Sequence, residues 1–139
     1  KGKILTSIIK KLNNSNVKLN ITAVFAFSQV IKIKNSINKK TPTIISIFCG
    51  RIADNGIDPE IIVRKTVKLF KNYKNVKILW ASTREVYNYH QAKKNKCHII
   101  TMAPKFIEKL NTKKISLKKY SMNTVSQFYS DGRKSGFKI

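Results

Sequence analysis

Apolar residues along the chain fall into short solid runs, and between the runs they recur every three to four positions. The runs at residues 17–25, 43–48, 76–81 and 97–101 are rich in β-branched and aromatic side chains, which predicts strands. Run 43–48 has almost no polar interruption, so a strand buried on both faces is expected there. The intervening spacing predicts helices over 27–37, from Asp58 to about residue 73, and from Ser82 to about residue 94. Asp58 is the expected N-cap of the second of these, with Pro59 in its first position and Glu60 near the positive end of the dipole. Its apolar face is Ile62, Val63, Val67 and Phe70. Ser82-Thr83-Arg84-Glu85 has the spacing of a capping box for the third. Pro104 opens a short helix through residue 110, and 121–134 reads as a terminal helix with Met122, Val125 and Phe128 as its apolar positions. Ahead of the first strand, Ile4, Leu5, Ile8, Ile9 and Leu12 form a stripe at helical spacing, the helix of a unit whose strand would precede the chain.

Strands separated by helices pair in parallel, which makes the fold class α/β. Right-handed crossovers put every helix on one outer side if the sheet closes. Four such units are half of a (β/α)8 barrel, a fold that typically takes about 250 residues. The expectation is therefore that residues 1–139 are the C-terminal part of a single TIM-barrel domain, about its last four βα units plus a C-terminal helix, with the earlier strands absent. The first residue is Lys1, which agrees with a missing or processed N-terminal part.

Composition narrows this further. At 139 residues, 42% of them hydrophobic, the chain can bury a sizeable core and is not a disordered tail. No apolar run approaches the roughly 20 residues of a membrane-spanning helix, and no signal-peptide pattern opens the chain, so no membrane contact is expected. Cys49 and Cys97 lie in apolar strand-like contexts, which favours free buried thiols in a reducing compartment over a disulfide. The net charge of +23 invites a nucleic-acid reading, but 25 of the 29 basic residues are lysines spread along the chain. Arginine, the residue that clamps phosphate bidentately, is scarce, and no exposed aromatics interleave with the lysines. Nonspecific binding to polyanions is expected; a dedicated nucleic-acid function is not.

In a barrel the chemistry collects at the carboxyl ends of the strands. There Asn20 and Thr22 alternate with Ile21 and Ala23, so both point to the same side of the first strand, toward the interior. The second strand offers Ser46 and Phe48, with Arg51 just beyond it and Asp54 three residues on. The third ends at Ser82 and Arg84, at a helix N-terminus whose amides favour an anion. Two readings fit these residues. One is a pocket for a phosphorylated small molecule built from two arginines, two serines and a helix N-terminus. The other is a pair of solvated ion pairs, Arg51 with Asp54 and Arg84 with a neighbouring acid. His90, Cys97 and His98 do not share a face, so no metal site is expected from them. Neither a Ser/His/Asp order, nor a phosphate-cradling Gly-rich loop, nor paired carboxylates appear.

The same residues carry a family resemblance. Asn20 to Gln29 (NITAVFAFSQ), Ser46 to Asp54 (SIFCGRIAD) and Ala81 to Arg84 (ASTR) resemble transaldolase in order and spacing, as does Met102-Ala103-Pro104 ahead of the eighth helix. The similarity covers nearly the whole chain, and its second motif is the most specific. It implies a transferase of sugar-phosphate metabolism, in the pentose phosphate pathway of the cytoplasm, that needs no cofactor. A barrel lysine would form a Schiff base with a ketose phosphate. A dihydroxyacetone unit would then pass to an aldose phosphate. Residue by residue, Asn20 and Thr22 would contact the Schiff-base intermediate and its water. Ser46, Phe48 and Arg51 would line the substrate channel, and Arg51, Ser82 and Arg84 would hold the phosphate. The family's lysine lies a few residues upstream of Lys1, so this stretch alone is expected to hold the phosphate half of a site and to be inactive. The strand lysines present, Lys18 and Lys77, sit at the amino-terminal ends. The alternative is a noncatalytic sugar-phosphate or polyanion (nucleic acid) binding module on the same fold. A homo-oligomer fits either reading, since an unfinished barrel exposes strand edges.

Overall fold

The four apolar runs form four parallel strands that hydrogen-bond in the order of the chain: β1 (Leu19–Val24), β2 (Thr43–Ile47), β3 (Val76–Trp80) and β4 (Ile99–Ile100). The structure, a computed structural model, describes residues 5–112 and 114–136. Helices alternate with the strands: α1 (Thr6–Asn14), α2 (Phe27–Lys34), α3 (Cys49–Asp54), α4 (Pro59–Leu69), α5 (Tyr87–Lys94), α6 (Pro104–Asn111) and α7 (Leu117–Lys134). An all-parallel sheet in sequential order is consistent with an aldolase-type TIM barrel, and the α/β reading holds.

Register and alternation divide the sheet into two faces. Ile21, Ile45 and Ile78 share a rung, and Val24, Ile47 and Trp80 share the next on the same face. These residues form the core with Val30 and Ile33 of α2, Ile52 of α3, Val63 of α4 and Ala92 of α5. Each fully buried Val or Ile contributes about 1.5–3 kcal/mol relative to exposure, so this face is what holds the helices on the sheet. The opposite face carries Asn20, Ser46 and Leu79.

At the amino ends of the strands, polar groups knit the elements together. Asn13, the one buried residue of α1, donates from Nδ2 to Thr43 Oγ1 (3.1 Å) and accepts at Oδ1 from the Asn38 amide (2.7 Å). The Thr41 hydroxyl donates to the Asn13 carbonyl (2.7 Å), and Asn75 Nδ2 donates to the Thr41 carbonyl (2.7 Å). Asparagine suits this place because one short side chain offers both a donor and an acceptor.

The expected elements are found, with corrections. Asp58 does cap α4, accepting from the Glu60 amide at 2.8 Å behind Pro59. The expected capping box at Ser82–Glu85 does not form: Ser82 adopts a positive φ of 65° and α5 begins only at Tyr87. β4 is shorter than the apolar run, because Cys97 turns its amide back to the Ala92 carbonyl (2.9 Å) and closes the end of α5. Residues 49–54, to which the spacing assigns no element, form α3. α7 starts four residues earlier than its periodicity suggests, because Ser116 caps it through the Lys119 amide (3.2 Å). None of its residues is buried, and Met122, Val125 and Phe128 are exposed. Of the leading apolar stripe, Ile4 lies outside the described residues, and Leu5, Ile8 and Leu12 are more than a third exposed.

Candidate functional site

β1 and β2 meet on the face away from the core through Asn20 and Ser46. The Ser46 hydroxyl donates to Asn20 Oδ1 at 2.7 Å, and Ser46 is buried while Asn20 is exposed. Just beyond, the β1–β2 register shifts: Ile21 faces Ile45, but Val24 rather than Ala23 faces Ile47. The extra residue is a bulge, and Ala23 takes a positive φ of 57° to make it. As a result Thr22 and Ala23 are both exposed, and strict alternation along β1 ends there. A backbone so placed costs on the order of 1–3 kcal/mol and is kept where a side chain must be re-aimed. The next turn is secured by Gln29, whose Oε1 accepts from the amides of Phe25 (2.7 Å) and Ala26 (2.9 Å).

β2 leads into α3 through Phe48. Its ring packs against Phe25 (centroids 5.6 Å apart) on one side, and the Arg51 guanidinium lies 5.5 Å from its centroid. Cys49 and Gly50 then turn inward. Burial pushes the Cys49 thiol far up, and pushes that of Cys97 up to about 12, so both thiols stay protonated near neutral pH. Both cysteines are free. His98 is engaged elsewhere: its Nδ1 accepts from the Ile78 amide at 3.0 Å.

The end of β3 is held against α3. The Gly50 amide donates to the Ala81 carbonyl (3.4 Å), and a Cβ at Gly50 would lie 1.6 Å from the Ser82 carbonyl oxygen. Beyond Ser82 the loop is tied on two further sides. Thr83 Oγ1 donates to the Thr101 carbonyl (2.5 Å), and Asn88 Oδ1 accepts from the amides of Arg84 (2.9 Å) and Glu85 (3.3 Å). Asn88 is itself set by a chain of polar contacts. Its Nδ2 donates to Gln91 Oε1 (2.8 Å), and Gln91 Nε2 donates to Glu60 Oε1 (3.2 Å). Glu60 Oε2 accepts from Asn95 Nδ2 at 2.7 Å and lies 3.2 Å from Lys94 Nζ. These contacts hold the Glu60 carboxyl below the ordinary range, the Asn95 hydrogen bond first and Lys94 and Gln91 after it, against the opposing effect of burial.

The arginines do not pair as their spacing suggests. Asp54 meets Arg84 Nη2 at 2.6 Å, and among the described residues Arg51 makes no ion pair. The expected pairing of Arg51 with Asp54 is therefore replaced by one across the strand ends. The structure thus groups Ser46 with Asn20, and Phe48 with Arg51, Ser82 and Arg84 around α3. Thr22 stands beside the bulge, outside these groups. The amides expected to serve an anion at the head of α5 are taken by Asn88. What remains open to an anion at the ends of β2 and β3 is two guanidiniums and the half-exposed Ser82.

The spacing of residues did not point to Gly50, Asp54 as the partner of Arg84, Thr83, Asn88 or Gln29. Only Gly50 left a local signal, a glycine two residues past the end of the apolar run 43–48.

A sequential parallel sheet with a cationic corner at its carboxyl ends makes this an α/β protein, consistent with an aldolase-type barrel. The whole described core lies within a match, over residues 5–137, to the family model for transaldolase/fructose-6-phosphate aldolase. The chain belongs to that family. It is 33% identical over 103 residues to a probable transaldolase of Herpetosiphon aurantiacus, covering 73% of this chain and 45% of that protein. Over 133 residues it is 30% identical to a probable transaldolase of Chelativorans sp., covering 94% of this chain and 56% of that protein. A probable transaldolase of Nitrosopumilus maritimus is 30% identical over 103 residues, covering 73% of this chain and 45% of that protein. The chain spans about half the length of the curated relatives it matches.

Proposed function

We propose that these residues carry the phosphate-binding part of a transaldolase-type site. In this reading a lysine of the barrel, on a strand upstream of Lys1, condenses with the carbonyl of a ketose phosphate and releases water. The resulting iminium accepts the electron pair as the bond beyond the three-carbon unit breaks and an aldose phosphate leaves. The bound dihydroxyacetone unit then adds to the aldehyde of an acceptor aldose phosphate, and hydrolysis frees the lysine. Asn20 and Thr22 contact the intermediate and its water, Ser46 orients Asn20, and Phe48 walls the channel. Arg51, Ser82 and Arg84 receive the phosphate. The membership of the family supports the reaction class.

One observation carries the assignment to this corner: two of the four arginines of a chain otherwise basic through lysine stand together on α3 at the strand ends, one in it and one laid against it. Lysine suffices for solubility; a planar fork is the residue for phosphate. The test is ketose-phosphate binding by the full-length protein carrying Arg51→Ala or Arg84→Ala. Each loss of a charge-assisted bond should weaken affinity about 10- to 100-fold. Unchanged affinity in both variants removes the phosphate assignment. Borohydride trapping of a ketose adduct on a lysine between residues 1 and 139 would overturn the upstream position of the nucleophile.

A further inference from the structure

Asp54 is out of place by local rules. It stands in the last turn of α3, where unpaired carbonyls disfavour a negative charge. Its natural local partner is Arg51, three residues earlier on the same face. Arg51 instead lies over the Phe48 ring, and Asp54 reaches a residue thirty positions away.

The route of Arg84 gives the reason. A Cβ on Gly50 would come within 2.9 Å of Arg84 Cγ, so the stem of Arg84 runs over the bare backbone of Gly50. Four residues on, one turn along α3, its Nη2 meets Asp54 at 2.6 Å. The arginine thus lies along α3, given room at one end and tied at the other. Its backbone amide is fixed by Asn88 Oδ1 at 2.9 Å. A guanidinium has five N–H donors, and Asp54 engages one nitrogen. Among the described residues the other guanidinium nitrogens have no hydrogen-bond partner.

We infer that Asp54 is a positioning residue for phosphate binding: it holds the Arg84 fork in the orientation that an incoming phosphate needs. This rests on the phosphate reading given above. A carboxylate near the site also repels a phosphate, which would make Asp54 a hindrance. The side chains of Arg84 and Asp54 are 51% and 50% exposed, so the repulsion is screened by water and salt. The geometry of a two-bond fork is not screened, and ordering wins.

The experiment is Asp54→Asn in the full-length protein, assayed with a ketose phosphate and with the same ketose lacking phosphate. KM for the phosphorylated substrate should rise about three- to tenfold, the loss of one well-ordered hydrogen bond, with kcat held within about twofold. KM for the unphosphorylated ketose should not move, and Asp54→Glu should recover part of the loss. Without any ligand, the Arg84 Nε–H order parameter should fall in Asp54→Asn, a readout that a general loss of stability would not single out. Tighter phosphate binding in Asp54→Asn, or an equal loss for both ketoses, overturns the inference. If the parent protein prefers the phosphorylated ketose and Asp54→Asn leaves that preference intact, the role of Asp54 falls and the phosphate reading stands. A parent with no such preference sinks the phosphate reading and this inference with it.

Discussion

Gly50 and Ser82 meet backbone to backbone: a Cβ at Gly50 would sit 1.6 Å from the Ser82 carbonyl oxygen. This contact seats the end of β3 on the first turn of α3 and brings Arg84 over the same helix. Gly50 is buried and its obstacle is main chain, so no side-chain rotation can relieve an added methyl. Gly50→Ala should therefore destabilise the fold by about 3 kcal/mol or more, at the upper end of what overpacking costs. Urea unfolding followed by circular dichroism will measure this. A midpoint within error of the parent's would show that the two strand ends can part freely.

His98 links the pH of the medium to the edge of the sheet. Its main-chain N–H donates to the Ile78 carbonyl (3.0 Å), and its Nδ1 accepts from the Ile78 amide (3.0 Å), so the ring completes the pairing of β3 where β4 has not begun. A protonated ring has no acceptor to offer. Burial and then the nearby Lys77 hold the His98 pKa below its ordinary value of 6.5. The unfolded chain therefore binds the extra proton first, and stability should fall as pH drops below about 6.5. It should level off once the folded ring is protonated too. His98→Asn, which keeps an acceptor that does not titrate, should flatten the stability profile between about pH 7.5 and 5.5, a unit either side of the ordinary histidine value. A parent profile already flat over that window would remove His98 as the cause.

The fold was legible because its signals are local. Residues 43–48 are β-branched or aromatic except for Ser46 and are bounded by Pro42 and Gly50, and Asp58-Pro59-Glu60 marks a helix start by its own chemistry. Arg51 and Arg84 were legible as strand-end residues for the same reason. Their partners were not. Asp54 finds Arg84 thirty residues away, and Asn88 rather than Ser82 receives the amides at the head of α5. Such choices depend on how strands and helices pack, which spacing does not encode. α3 escaped notice because six residues are less than two turns, too few for a period to show. Thr22 lies where alternation stops being a guide: the register shifts between Ile21 and Val24, with a positive φ at Ala23.

Glu60 ties the loop of Arg84 to α4, and its charge is what makes the tie work. Its two oxygens accept from Gln91 Nε2 (3.2 Å) and Asn95 Nδ2 (2.7 Å), with Lys94 Nζ 3.2 Å away. Every partner is a donor, so an ionised carboxylate is the only group of this size that satisfies all of them. Glu60→Gln would turn an amide NH2 toward Asn95 or Gln91 and leave a buried donor unpaired. A loss of about 1–3 kcal/mol is expected. The acid arm follows from the same contacts. The folded pKa lies below the ordinary 4.5, so the contribution is present above that pH and lost as pH falls through the folded value. This window lies below that of His98, which lets the two be separated in one titration. Because Gln91 also holds Asn88, the effect should travel: the amide shifts of Arg84 and Glu85 should change in Glu60→Gln, while those of Leu19 and Asn20 in β1 should not. Amide shifts of Arg84 and Glu85 that match the parent's would show that Asn88 holds the loop without help from Glu60.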